Sequence, residues 1–121
     1  MAIDERFKRG LELFNREEFF ESHEVIEDLW RETKDEFRDF YQGVIQAAAA
    51  MHHLKRGTLP GGISVFESAV ERLKRYPSVT MGLNVRKLID DMKMCFDLAQ
   101  QTNSNQVNFP QAEFNFDSEE V

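Results

Sequence analysis

Six polar residues in two segments form the pattern with the clearest chemical potential in this sequence. They are His23, Glu24, Glu27, Gln42, Gln46 and His53. His23 and Glu27 are four residues apart, and on a helix this spacing places two side chains on one face, where they can converge on one point. The two segments are joined by a short connection, which predicts antiparallel neighbouring helices whose polar faces meet.

This cluster has two interpretations. In the first, His23, Glu27 and His53 bind a divalent metal such as Zn²⁺, Fe²⁺ or Mn²⁺ and leave coordination positions open for a substrate. In the second, a buried His–Glu pair satisfied by glutamine amides holds two helices in register. Only three protein ligands can be named, and H-E-x-x-E lacks the second histidine that makes H-E-x-x-H specific. We therefore favour the structural network over the metal site.

The structural interpretation predicts that the protein is a binding or scaffolding module with a semi-buried His/Glu/Gln cluster. The alternative is a metal-dependent hydrolase that uses His23, Glu27 and His53, so whether the protein is an enzyme stays open. Nucleophilic catalysis has no support, because Ser22 and Cys95 have no base at a telling spacing. His52 points about 100° away from His53 on a helix, toward the apolar face, which predicts a packing role.

Composition excludes several classes of function. The chain has 121 residues, a net charge of −7 and a pI near 5.0, which argues against nonspecific binding to nucleic acids or anionic membranes. Cys95 is the only cysteine, so an internal disulfide cannot form. The first residues lack the apolar stretch of a signal peptide, and no segment is apolar enough to span a membrane. We expect a soluble cytoplasmic protein.

The stretch Phe40–Leu54 contains no Asp, Glu, Lys or Arg, although 31% of the chain is charged. A helix without charge on any side is usually buried all round. We therefore predict an all-α, single-domain bundle of about five helices packed around a buried central helix at residues 36–56.

Capping signals place the other helices. The first is predicted from Asp4 to Phe14, and Asn15 with Glu18 forms a capping box for the second, which runs to about Thr33. A similar box, Thr33 with Glu36, predicts the start of the third helix. The fourth helix carries Pro60 in its first turn, and the fifth begins after Asn84. No β-strand pattern stands out.

The helical domain is predicted to occupy residues 1–101, followed by an acidic, polar tail at residues 102–121. The tail has no helical or strand periodicity, but Phe109, Phe114 and Phe116 distinguish it from a purely disordered segment. These rings suit a surface groove of the same chain or of a neighbouring copy, which leaves a homo-oligomer open. No other partner can be named.

The sequence also resembles a family of small helical proteins known as domain-of-unknown-function family 309. The first motif, F-N-x-x-x-F-F-E-x-H-E-x-x-E-x-x-W, is matched by Phe14, Asn15, Phe19, Phe20, Glu21, His23, Glu24, Glu27 and Trp30. The second is matched by Gln42, Gly43, Ile45, Gln46, Ala47–Ala49, His53 and Gly57. The resemblance implies an all-α fold and no established activity. Such proteins are sometimes labelled predicted metal-dependent hydrolases.

Overall fold

Five helices in series, joined by short connections and one small hairpin, form most of the computed structural model, which describes residues 2–116. The helices are α1 (Glu5–Asn15), α2 (Phe19–Glu32), α3 (Arg38–Lys55), α4 (Leu59–Leu73) and α5 (Val85–Thr102), and the two strands are β1 (Val79–Thr80) and β2 (Leu83–Asn84). The predicted all-α bundle of about five helices is confirmed.

The central helix is α3, as the uncharged stretch predicted. Ten of its residues are buried, from Phe40 near its start to Leu54 near its end, and it packs against α2 on one side and α4 on the other. Its small residues let the neighbours come close. A Cβ added to Gly43 would lie only 2.9 Å from the side chain of Leu73 on α4.

Helix α1 packs equally closely against α2. A Cβ on Gly10 would lie 2.3 Å from Cγ1 of Ile26, a distance that real carbon atoms do not adopt. The buried hydroxyl of Ser22 donates a 2.7 Å hydrogen bond to the carbonyl of Gly10. Glycine at this position therefore allows a direct contact between the backbone of α1 and a side chain of α2.

Two of the four predicted helix caps are confirmed and two are wrong. The side chain of Asp4 accepts from the backbone N–H of Arg6, and that of Asn84 accepts from Lys87. Asn15, in contrast, is the last residue of α1, and α2 begins at Phe19 without a side-chain cap. A helical Asn15 cannot adopt the extended backbone of an N-cap.

The predicted capping box of Thr33 and Glu36 is the second cap that is wrong. The hydroxyl of Thr33 donates back to the carbonyl of Leu29 at 2.8 Å, so this side chain closes α2 instead of opening α3. Helix α3 begins after Phe37, again without a side-chain cap.

A small hairpin, whose two strands have two residues each, separates α4 from α5. The sequence showed no strand pattern there. Val79 pairs with Asn84 and Thr80 with Leu83. The turn residues Met81 and Gly82 have φ angles of 50° and 78°, the positive values that tight hairpin turns require. Strands of two residues are too short to show alternation in a sequence.

The segment that follows α5 returns to this hairpin and adds a third extended stretch to it. Asn84 donates its N–H to the carbonyl of Glu113 at 2.8 Å, and Asn115 donates to Gly82 at 2.8 Å. The rings of Phe109 and Phe116 lie 5.6 Å from Phe19 and 6.5 Å from Phe7, respectively. These rings pack against the chain's own core. The last residues of the predicted acidic tail, 117–121, lie outside the described residues.

Candidate functional site

The structure brings His23 and Glu27 together on α2. Nε2 of His23 lies 3.4 Å from Oε2 of Glu27, and the two side chains are 28% and 30% exposed. Arg31, one turn further along, forms an ion pair with the other carboxylate oxygen of Glu27. The carboxylate of Glu27 is therefore shared between an imidazole and a guanidinium at the protein surface.

Two predicted members of the cluster contact α4 instead. Nδ1 of His53 lies 2.9 Å from the hydroxyl of Thr58, the residue before α4, and a Cβ on Gly61 of α4 would lie 3.4 Å from the same nitrogen. Oε1 of Gln46 accepts from Arg72 of α4 at 3.3 Å. Gln42 is half-buried on α3, and Glu24 is exposed on α2. Because α3 has neighbours on two sides, its polar residues are divided between them.

The histidine that approaches α2 is His52, which the sequence assigned to packing. The rings of His23 and His52 lie 5.9 Å and 5.6 Å from the ring of Phe20, which is 47% exposed. Burial is the main cause that lowers the pKa of His52, and the charge of nearby Arg56 adds to it. We call Phe20, His23 and His52 the Phe20 cluster. In the sequence, the only signal for this cluster is the three-residue spacing of Phe20 and His23, which places them on one face of a helix.

Two buried ring nitrogens on α2 have no hydrogen-bond partner among residues 2–116. They are Nδ1 of His23 and Nε1 of Trp30. The indole of Trp30 is covered by the guanidinium of Arg38, whose Cζ lies 4.1 Å from the ring centroid.

Charges of both signs surround the Phe20 cluster, with Arg56 and Glu21 both close enough to His52 to influence its pKa. Glu21 and Glu24 are exposed, and neither forms an ion pair within the described part of the chain. Glu17 pairs with Lys55 at 3.5 Å across the start of α2. Along α2, the exposed ring of Phe20 is therefore followed by two carboxylates that form no ion pair within residues 2–116.

The three predicted metal ligands, His23, Glu27 and His53, do not come together as a group in the described part of the chain. Within residues 2–116, no group of three or more His, Cys, Asp and Glu side chains could hold one. The reason lies in the contacts above, because His53 faces α4 and the carboxylate of Glu27 is engaged by Arg31. The third ligand that the sequence pattern needed is therefore not placed beside His23.

Together these features define a mostly helical domain with an exposed aromatic–histidine cluster where α2 meets α3. No helix in the described part of the chain has the length and apolar character needed to cross a lipid bilayer.

Comparison with known proteins finds a family match and a distant relative. Residues 7–65 match the sequence model of a family described as "Domain of unknown function (DUF309)", so this part of the chain carries the domain that the resemblance implied. The match begins at Phe7 within α1, covers α2 and α3, and ends in the first half of α4. A relative in Aquifex aeolicus (strain VF5), described as an uncharacterized protein, is 29% identical over 85 residues. That alignment covers 69% of this chain and 26% of the relative, so the chain spans about a quarter of the relative's length.

Proposed function

We propose that this protein is a binding module whose recognition surface is the Phe20 cluster together with Glu21 and Glu24. The observation that carries the proposal is the half-exposed ring of Phe20, held between two imidazoles from different helices. Large exposed aromatic side chains that neighbouring residues hold in place are typical anchors of protein interfaces.

The charges beside this ring select the chemistry of the partner. Glu21 and Glu24 offer carboxylates that have no ion-pair partner in residues 2–116, and a Lys or Arg side chain would bind them through charge-assisted hydrogen bonds. The face of Phe20 attracts a cation as well as apolar groups. A segment that is both basic and apolar, such as a cationic amphipathic helix, satisfies both requirements.

In this proposal His23 and Glu27 are positioning residues. The imidazole of His23 packs against Phe20 on one side and contacts the carboxylate of Glu27 on the other. The pair therefore restricts the rotation of Phe20 and lowers the entropy that the ring loses when a partner binds.

The test measures the affinity of a fluorescently labelled, helical Leu/Lys peptide by anisotropy at two salt concentrations. Phe20→Ala should weaken binding about tenfold or more, as expected for an anchor residue. The double variant Glu21→Gln, Glu24→Gln should weaken binding at low salt and remove most of its salt dependence. The matched control is Met94→Ala on α5, because Met94 is 71% exposed and lies outside the cluster.

Two outcomes would contradict the proposal. Equal losses of affinity in Phe20→Ala and Met94→Ala would show that the peptide adheres to any exposed apolar side chain. A rise in melting temperature with Zn²⁺ or Mn²⁺ that disappears in both His23→Ala and Glu27→Gln would instead support the metal-dependent alternative, since a ligand that binds only the folded state stabilises it.

A further inference from the structure

A cleft of about 250 Å³ lies between the end of α4 and the start of α5. It is separate from the Phe20 cluster, and its lining lies beyond residues 7–65. The floor is formed by the half-buried Val70 and by Ile89, which is 6% exposed, while Leu73 and Val85 lie beneath it and are 0% and 1% exposed. A cleft that combines such an apolar floor with a polar rim favours a ligand that has both an apolar and a polar part.

The rim of this cleft carries three cations, although the chain has a net charge of −7. Lys74 lies at the end of α4, while Arg86 and Lys93 lie on α5, so positive charge comes from both walls. Asp90 is the one carboxylate in the lining. The cleft is therefore a locally positive site on a negative protein.

The ion pairs at the rim do not neutralise it. Arg86 lies 3.5 Å from Asp90 and Lys74 lies 2.6 Å from Glu71, but all four side chains are more than half exposed. Exposed pairs of this kind are weak and exchange partners easily. Lys93 forms no ion pair with any residue in the range 2–116.

Backbone groups nearby are already occupied, so the side chains must supply the recognition. The carbonyl of Ser78 accepts the N–H groups of Val85 at 2.8 Å and Arg86 at 3.4 Å, and Asn84 caps the N–H of Lys87. Tyr76 donates its hydroxyl to the carbonyl of Glu36 at 2.8 Å and contributes its ring to the wall. The groups left for a ligand are the apolar floor and the cations of the rim.

We propose that this cleft binds a small amphipathic carboxylate. Its hydrocarbon body lies on the floor formed by Val70 and Ile89, and its carboxylate lies between Lys74 on one wall and Arg86 and Lys93 on the other. A single negative charge suits the site, because Asp90 and the net charge of the protein oppose a polyanion. A neutral apolar molecule would gain nothing from Lys93, which has no ion-pair partner within residues 2–116, or from the weakly paired Lys74 and Arg86.

The experiment compares three probes by ¹H–¹⁵N NMR titration of the full chain. Octanoate carries both the body and the charge, octan-1-ol carries only the body, and inorganic phosphate carries only charge. Octanoate should shift the amide signals of residues 70–93 and should bind at least tenfold more tightly than either other probe. Arg86→Glu and Lys93→Glu should each weaken octanoate at least fivefold.

The matched control is Lys34→Glu, the same charge reversal at an exposed residue between α2 and α3, which should change the octanoate affinity less than twofold. Phe20→Ala should also leave it unchanged, so this site and the Phe20 cluster succeed or fail separately. The proposal is overturned if octanoate causes no shifts, if its shifts centre on Met94 and Leu98, if octanol or phosphate binds as tightly, or if Lys34→Glu weakens it as much as Lys93→Glu.

Discussion

Substitution of Asn15 by aspartate tests whether this residue caps a helix or anchors the segment after α5. Nδ2 of Asn15 donates to the carbonyl of Ala112 at 2.9 Å, and the N–H of Ala112 donates to Oδ1 at 2.6 Å. Ala112 is only 5% exposed, so solvent replaces these partners poorly. The side chain thereby joins α1 to a segment 97 residues further along the chain.

The expected loss follows from these two bonds. Asn15→Ala leaves a buried N–H and a buried carbonyl unpaired, at about 1–3 kcal/mol each. Because Asn15 is itself half-buried, we take the lower part of this range and expect about 2–3 kcal/mol in total. At about 4 °C per kcal/mol, the melting temperature should fall by about 8–12 °C.

Asn15→Asp distinguishes the two roles. Aspartate is as good an N-cap as asparagine, so a capping role predicts no loss. In the anchoring role aspartate keeps one acceptor but sets its second carboxylate oxygen against the carbonyl of Ala112, and the loss should approach that of Asn15→Ala. Thermal and urea unfolding followed by circular dichroism measure both variants, with Asn108→Asp, an exposed residue of the same segment, as the control. An Asn15→Asp protein as stable as the wild type would refute the reasoning.

Three further substitutions or treatments have defined outcomes. Gly10→Ala should destabilise the protein by about 2 kcal/mol or more, because the new Cβ meets Ile26, and Ile26→Val should recover part of that loss in a urea double-mutant cycle. Burial keeps the pKa of His52 below its usual 6.5, so the unfolded state binds more protons just below that pH. Stability should therefore fall as the pH is lowered from 7 to 5, and His52→Gln should flatten that curve. Burial raises the pKa of Cys95 to about 11, so at pH 8 its reaction with a thiol reagent should be about a hundredfold slower in the native protein than in urea.

The sequence predicted the features that depend on neighbouring residues. The uncharged stretch identified α3 as the central helix because burial excludes charge from every side of it. The caps at Asp4 and Asn84 were found because each bonds a backbone N–H within three residues. Pro60 marked the first turn of α4 for a similarly local reason.

Features that depend on distant residues could not be predicted. The family motif contains Asn15, but its partner Ala112 lies in a segment without periodicity. Helical spacing separated His52 from His53, yet it could not tell which of them faces α2, because α3 has neighbours on both sides. His23 and Glu27, the other two residues of the proposed ligand set, are four residues apart on one helix. This local spacing predicted their contact correctly.

The bond between Asn15 and Ala112 also constrains the order in which the chain can fold. Helices α1, α2 and α3 follow one another with short connections, so their contacts close small loops and can form rapidly. The contacts of Asn15 close a loop of 97 residues, and during synthesis they must wait until residue 112 has left the ribosome. Until then the rings of Phe7 and Phe19 lack the cover of Phe116 and Phe109. We therefore expect refolding to show a helical phase followed by a slower docking phase, and Asn15→Ala to affect only the second.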